Sequence, residues 1–299
     1  MPARIWALPL AFLLMISGFS TVGAEAFPAA LHETRFETDI EYARVNNGIS
    51  LRMDASIPAA TKKSPAVIIV HGGAWVAGDR RLNVQPLFQP LTDAGFAWFS
   101  ISYRLATDIS QFGAAVGDVR KAIRFVKSHA ADYNIDPDKI ALVGESAGGQ
   151  LAAMAVLRGE PDTSVKAVVA LYTPSDLVSL AKNSTYIPAA LRNSIHGTPW
   201  EALVLAGLAQ LSPINSVRPG MPPFLLIHGT ADSMVPFSQS REMCDRMQQA
   251  GASCELYPVV GGGHGMRWWE SSPKLATAYK QKMVAWLRQE LEAALPVTS

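Results

Sequence analysis

The sequence predicts an α/β fold, with a mostly parallel central sheet, helices on both faces and a small inserted lid. Two observations predict it. Short runs such as Ala66-Val67-Ile68-Ile69-Val70 are apolar at every position, as expected of strands covered on both faces. These runs alternate with stretches patterned for helices, the order from which a parallel sheet with crossover helices is built. The 299 residues carry 26 Lys+Arg against 25 Asp+Glu, a formal net charge of +1. Such a balance argues against a nucleic-acid partner, which calls for a basic excess. With 22 Gly and 20 Pro, the chain is neither collagen-like nor of low complexity.

The elements follow in order. Arg4 precedes the apolar stretch 5–16, no charge appears until Glu25, and small residues stand at Val22-Gly23-Ala24 and Ala24-Glu25-Ala26. This describes a secretory signal peptide over residues 1–24, with a periplasmic or secreted product and no stable membrane insertion after cleavage. The competing reading is an uncleaved anchor, since residues 5–24 just suffice to span a bilayer; Pro9, Ser17, Gly18 and Ser20 weaken it. Residues 37–44 and 49–56 alternate around Asn46-Asn47-Gly48, which reads as a hairpin. Strands are expected at 66–70, 96–101, 140–143, 165–171, 224–227 and 254–259. Helices are expected at 112–130, 147–157, 238–249 and 273–294. The interval 175–212 breaks the rhythm with mixed Pro, Asn and Ser, and is read as the lid. With no repeat and no linker, residues 25–299 are expected to form one domain.

Cys244 and Cys254 are the only cysteines and lie ten residues apart, one on an expected helix and one opening the next strand. An oxidising compartment would permit a bridge between them; the alternative is a pair of unpaired buried thiols. With no further cysteine and no paired-histidine spacing, a metal site is not expected, and no cofactor is implied.

The chemistry begins at Gly144-Glu145-Ser146-Ala147-Gly148, which follows an apolar strand and opens a small-residue helix. A serine on such a turn sits in a strained backbone conformation that lifts its hydroxyl clear of the sheet, next to a helix N-terminus favouring negative charge. The second signal is His71-Gly72-Gly73-Ala74-Trp75, directly after a strand. A loop of so little side-chain bulk can turn backbone N–H groups towards an oxyanion, so Gly73, Ala74 and Ala147 are the candidate donors. His71 is read as a loop organiser.

A serine nucleophile needs a base, and the base an orienting acid. Among six histidines, His32 and His129 lie in polar segments, His196 in the lid, and His228 at a strand end where a structural role is expected. His264, in Gly261-Gly262-Gly263-His264-Gly265 beyond the last strand, is the expected base. Asp232, just past a buried strand, is the expected acid, with Asp176 and Glu255 as alternatives. The chain order Ser146, Asp232, His264 is that of α/β-hydrolases.

His-Gly-Gly-x-Trp, Gly-Glu-Ser-Ala-Gly, Asp232-Ser233-Met234-Val235-Pro236 and Gly-His-Gly together resemble an α/β-hydrolase near the hormone-sensitive-lipase-like carboxylesterases, from about Ser64 to the C-terminus. Ala74 stands where that group usually has a third glycine. In this the chain is more similar to bacterial acetyl-xylan and feruloyl esterases and to kynurenine formamidases. Thr173-Pro174-Ser175-Asp176-Leu177 resembles the Pro-Thr-Asp-Leu segment of such esterases, with serine in place of threonine. The resemblance implies a serine hydrolase of short acyl esters, acting on a small-molecule or polysaccharide-linked substrate. A formamidase or amidase is the nearest rival. An exopeptidase of the prolyl-oligopeptidase type would be expected to carry propeller repeats ahead of the hydrolase portion, where none is found, and a non-catalytic binding module would be expected to lack a triad member. Trp75 and Trp268 are candidate substrate contacts; packing is the alternative for each.

Overall fold

A computed structural model of the protein describes residues 34–45, 48–106, 111–183, 197–199 and 201–292. The expected leader, His32 and His196 lie outside the described residues. In chain order the strands are β1 (Thr34–Val45), β2 (Ile49–Pro58), β3 (Ser64–Val70), β4 (Ala97–Ile101), β5 (Ile135–Glu145), β6 (Ala167–Leu171), β7 (Phe224–Gly229) and β8 (Cys254–Val259). The helices are α1 (Phe88–Asp93), α2 (Phe112–Ser128), α3 (Ala147–Leu157), α4 (Leu177–Asn183), α5 (Glu201–Gln210), α6 (Ser238–Gln249), α7 (Met266–Glu270) and α8 (Pro273–Glu292).

The strands form one eight-stranded sheet in the order β1-β2-β4-β3-β5-β6-β7-β8. The β1–β2 hairpin and the β2–β4 pair are antiparallel, and every pairing from β4 through β3 to β8 is parallel. This is the mostly parallel sheet that the sequence predicts. It has the α/β-hydrolase architecture.

The uniformly apolar strands are explained by two separate cores. In β3, Ala66, Ile68 and Val70 face a core built with Val119 and Ile123 of α2, Leu151 of α3 and Met243 and Met247 of α6. Val67 and Ile69, between them, face a second core made with Leu91 of α1, Trp269 of α7 and Tyr279, Met283 and Leu287 of α8. Side chains alternate across a strand, so a run that is apolar throughout satisfies both layers at once.

Three departures from expectation have local causes. β5 starts at Ile135, earlier than expected, because residues 136–139, polar or proline and exposed or half-exposed, cut the buried Ile135 off from the apolar run. The helices α1 and α7 are only 6 and 5 residues long, too short to show a helical period. Within the interval 175–212, α4 and α5 are helical. Its two ends are pinned by buried polar groups. Ser175 donates its amide to Gln239 Oε1 at 2.9 Å and its hydroxyl to the Gln239 carbonyl at 2.6 Å. Gln150 Nε2 donates to the Leu211 carbonyl at 2.7 Å.

Cys244 of α6 and Cys254 at the start of β8 form a disulfide, with a Cα–Cα separation of 5.4 Å. It staples the last crossover to the strand it feeds. Among the described residues, no helix is long and apolar enough to cross a membrane.

Candidate active site

The site assembles at the C-terminal ends of the parallel strands, where crossover loops turn back over the sheet edge. Ser146 occupies the sharp turn from β5 into α3, with φ 51° and ψ −122°. Side chains rarely adopt this region, and the turn depends on glycines nearby. A Cβ on Gly148 would lie 2.2 Å from the Val70 carbonyl oxygen and 2.3 Å from that of His71. Glycine there lets α3 start against the end of β3. The Ser146 amide donates to the Leu171 carbonyl at 2.9 Å, which fixes the turn to β6.

The Ser146 hydroxyl lies 3.0 Å from Nε2 of His264, and Nδ1 of His264 lies 2.7 Å from Oδ2 of Asp232. The Asp232 carboxylate accepts, so Nδ1 carries the hydrogen and Nε2 is free to accept from Ser146. Asp232 sits in the loop after β7, where its Oδ1 accepts the amides of Met234 and Val235, each at 2.9 Å. Burial alone would raise its pKa. Hydrogen bonds from His228 and His264, the charge of His264 and the Val235 amide override that and hold it well below the usual carboxylate range. Three residues from three loops are thus joined in one hydrogen-bonded chain. The alternative acids lie elsewhere, as Asp176 accepts the Ser179 amide at 2.9 Å in the first turn of α4 and Glu255 pairs with Lys282 of α8.

The loop after β3 supplies the facing wall. Gly73, Ala74 and Trp75 have φ of 113°, 51° and 65° in succession. Of the six non-glycine residues with positive φ among those described, four surround this site: Ala74, Trp75, Ser146 and Tyr172. Backbone strain concentrates where surrounding structure over-determines it, and functional sites are where it is usually found. No protein acceptor takes the amides of Gly73 and Ala74 among the described residues. Ala147 is the first residue of α3, so its amide has no intrahelical acceptor.

His71 is buried beneath this loop. Its Nδ1–H donates to the Gly72 carbonyl at 2.7 Å, and its ring stacks on Tyr103 at 4.4 Å. Burial pushes its pKa down. The indole of Trp75 donates to Gln150 Oε1 at 2.9 Å and stacks on Phe112 at 4.7 Å, tying the loop to α3 and α2. Trp268 is 69% exposed just past His264, while Trp269 is fully buried and donates to the Gly263 carbonyl at 2.9 Å.

Residues that the sequence reading did not assign to the site complete it. Glu145 is buried, accepts the Gly72 amide and is hydrogen-bonded to the Tyr172 hydroxyl. Burial pushes its carboxyl above the usual range, against the opposing pull of Gly72, Tyr172 and His264. Tyr172 in turn accepts the Met266 amide at 3.2 Å and meets the His264 ring edge-on at 4.9 Å. One buried carboxylate therefore links the Gly72 loop, the serine turn and the His264 loop. His228 approaches Asp232 from behind, Nε2 to Oδ2 3.3 Å. The only sequence signal for these was their place inside the motifs, Glu145 beside the serine and His228 four residues before the aspartate.

The sequence pattern of the BD-FAE family matches residues 53–247, more than half of the chain. The chain belongs to the BD-FAE family. It is also 32% identical over 230 residues to the probable carboxylic ester hydrolase LipM of Mycobacterium tuberculosis, covering 73% of this chain and 52% of that one. The chain spans about half the length of the curated relatives it matches. Among solved structures, a truncated carbohydrate esterase from gut microbiota superposes with a TM-score of 0.72 at 28% identity, covering 88% of this chain and 98% of that one. Butyrate-bound esterase 2 of Thermogutta terrifontis does so with a TM-score of 0.69 at 26% identity, covering 91% and 98%. The BD-FAE match includes β3, β5 and β7, whose loops carry Gly73, Ser146 and Asp232, and ends before β8 and His264.

Proposed function

We propose that this chain is a serine carboxylic-ester hydrolase that cleaves short acyl esters, acetyl- or feruloyl-type, through an acyl-enzyme. The observation that carries the reading is the hydrogen-bonded chain Ser146–His264–Asp232 above a strained serine turn. Its relatives named as esterases and carboxylic ester hydrolases support the same class.

In this reading Ser146 attacks the acyl carbonyl while His264 Nε2 takes its proton. Asp232 holds the imidazole by Nδ1 and stabilises its charged form. The carbonyl oxygen gains charge and rests on the amides of Gly73, Ala74 and Ala147, each such donor being worth about 3–4 kcal/mol in the transition state. His264 then protonates the leaving alcohol, and water repeats the sequence on the acyl-enzyme. Trp268 stands exposed beside His264 and is a candidate contact for the acyl or alcohol part; Trp75 is a second, on the facing loop. In this reading the interval 175–212 serves as a lid, within a single domain of residues 25–299. Removal of a leader over residues 1–24 yields a periplasmic or secreted enzyme, a compartment in which the Cys244–Cys254 bridge would persist.

Ser146→Ala is expected to abolish hydrolysis of p-nitrophenyl acetate while leaving the thermal transition in place. A variant that keeps the wild-type rate would overturn the assignment. A panel of acetyl, butyryl, octanoyl and feruloyl esters with N-formylkynurenine then assigns the acyl group and separates ester from formamide cleavage.

A further inference from the structure

His228 is the penultimate residue of β7, with its side chain wholly buried. Its Nε2 lies 2.9 Å from the Val235 carbonyl oxygen and 3.3 Å from Oδ2 of Asp232. Both neighbours are acceptors, so this nitrogen carries a hydrogen and shares it between them. Nδ1 is then the acceptor of the Ser240 hydroxyl, 2.6 Å away on α6. The Val235 carbonyl and Asp232 thereby select the tautomer of His228, and the Ser240 hydroxyl anchors the ring at its other nitrogen. The ring of Phe237 covers His228 edge-on at 5.8 Å. The titratable groups around this cluster are Asp232 and His264, with Glu145 and Tyr172 on the far side of His264.

We propose that His228 is a positioning residue of the reaction, its ring anchored at Nδ1 by Ser240 and its Nε2–H holding Oδ2 of Asp232 at the point where His264 must find it. The inference rests on the triad reading above. Oδ2 is the very oxygen that accepts His264 Nδ1–H, so the two histidines share one acceptor atom. A donor on that atom does two things. It stops the carboxylate from rotating between the Met234 and Val235 amides and His264. It also disperses negative charge, leaving Asp232 less able to draw the proton of His264 towards itself. Without His228 the carboxylate is freer and more basic, and it stabilises a charged His264 in the resting enzyme more strongly. The base is then protonated, and unable to accept from Ser146, up to a higher pH.

A purely structural histidine would hold the 232–235 turn through Val235 alone, and its loss would lower stability without altering the pH profile. The test compares wild type, His228→Ala, His228→Gln and Ser240→Ala as full chains, with kcat, KM and thermal unfolding measured over about pH 5–9 on p-nitrophenyl acetate. His228→Ala is expected to lose about tenfold in kcat with KM little changed, and to move the acid limb of kcat/KM up by about half a pH unit. His228→Gln, whose amide nitrogen reaches the position of Nε2, is expected to restore most of both. Ser240→Ala removes the anchor at Nδ1 and lets the ring shift from Asp232, and is expected to move the limb in the same direction by less. If His228→Ala does not fold, Ser240→Ala alone decides by that shift. An acid limb unmoved in the folded variants overturns the proposal, whatever happens to stability. Should the wild type hydrolyse no ester, the functional reading falls separately. The low-field proton resonance of His264 Nδ1–H then decides instead, expected further downfield in Ser240→Ala and unchanged if His228 has no hold on Asp232.

Discussion

Ser146, Ala74 and Tyr172 hold backbone conformations that their side chains disfavour, and the carboxylate of Glu145 bonds the Gly72 amide of one of these segments and the Tyr172 hydroxyl of another. That carboxylate is costly to bury. Its pKa is raised, chiefly by desolvation, so the folded protein binds this proton more tightly than the unfolded chain does. The sign follows from linkage: a raised acid contributes most at low pH, and its contribution is lost as pH climbs from the unfolded value through the folded one. Asp232 has the opposite sign, since its depressed pKa makes its contribution present above the unfolded value of about 4 and lost below it. Glu145→Gln removes the first of these titrations. The stability difference between this variant and the wild-type chain is expected to move in favour of the variant as pH rises from about 4 to 8, as measured by urea unfolding at several pH values. A difference that stays flat with pH would show that Glu145 titrates as it does in the unfolded chain.

Elements set the site through close backbone approach. The start of α3 lies against the end of β3 because Gly148 has no Cβ, and the carbonyls it would strike belong to Val70 and His71. Gly148→Ala must push α3 away from the loop that carries Gly73 and Ala74. A loss of about 1–3 kcal/mol in stability is expected from the overpacking, together with a fall in ester hydrolysis larger than the stability loss explains. Chemical denaturation and steady-state rates on the same preparation check both. The long buried strands were legible in sequence because each is covered on two faces and so is apolar at every position. The short α1 and α7 were not, since fewer than two turns cannot display a period. The start of β5 was hidden for another reason, its buried Ile135 being separated from the apolar run by the exposed or half-exposed residues 136–139.

At the scale of the molecule, the sheet divides the interior in two. Ile123 of α2 belongs to one core and Leu287 of α8 to the other. Each, truncated to alanine, is expected to cost about 2–5 kcal/mol. Because the sheet stands between them, the double variant should cost the sum to within about 0.5 kcal/mol, read from urea midpoints at constant slope. A coupling well above that would mean the sheet transmits packing changes from face to face.

Local chemistry was readable from neighbours in the chain. The apolar runs, the glycines around Ser146, the small-residue loop at His71 and the order Ser146, Asp232, His264 all follow from covalent order and from the steric demands of tight turns. Contacts between residues far apart in sequence were not readable in this way. That Trp75 is held by Gln150 while Trp268 stays exposed and Trp269 is buried depends on which side of each turn faces a core. That Glu145 reaches the Gly72 amide, and that His228 shares an oxygen of Asp232 with His264, depends on strands brought side by side by pairing in the sheet. Hydrogen bonds act over about 3 Å, and only the folded sheet brings those atoms that close.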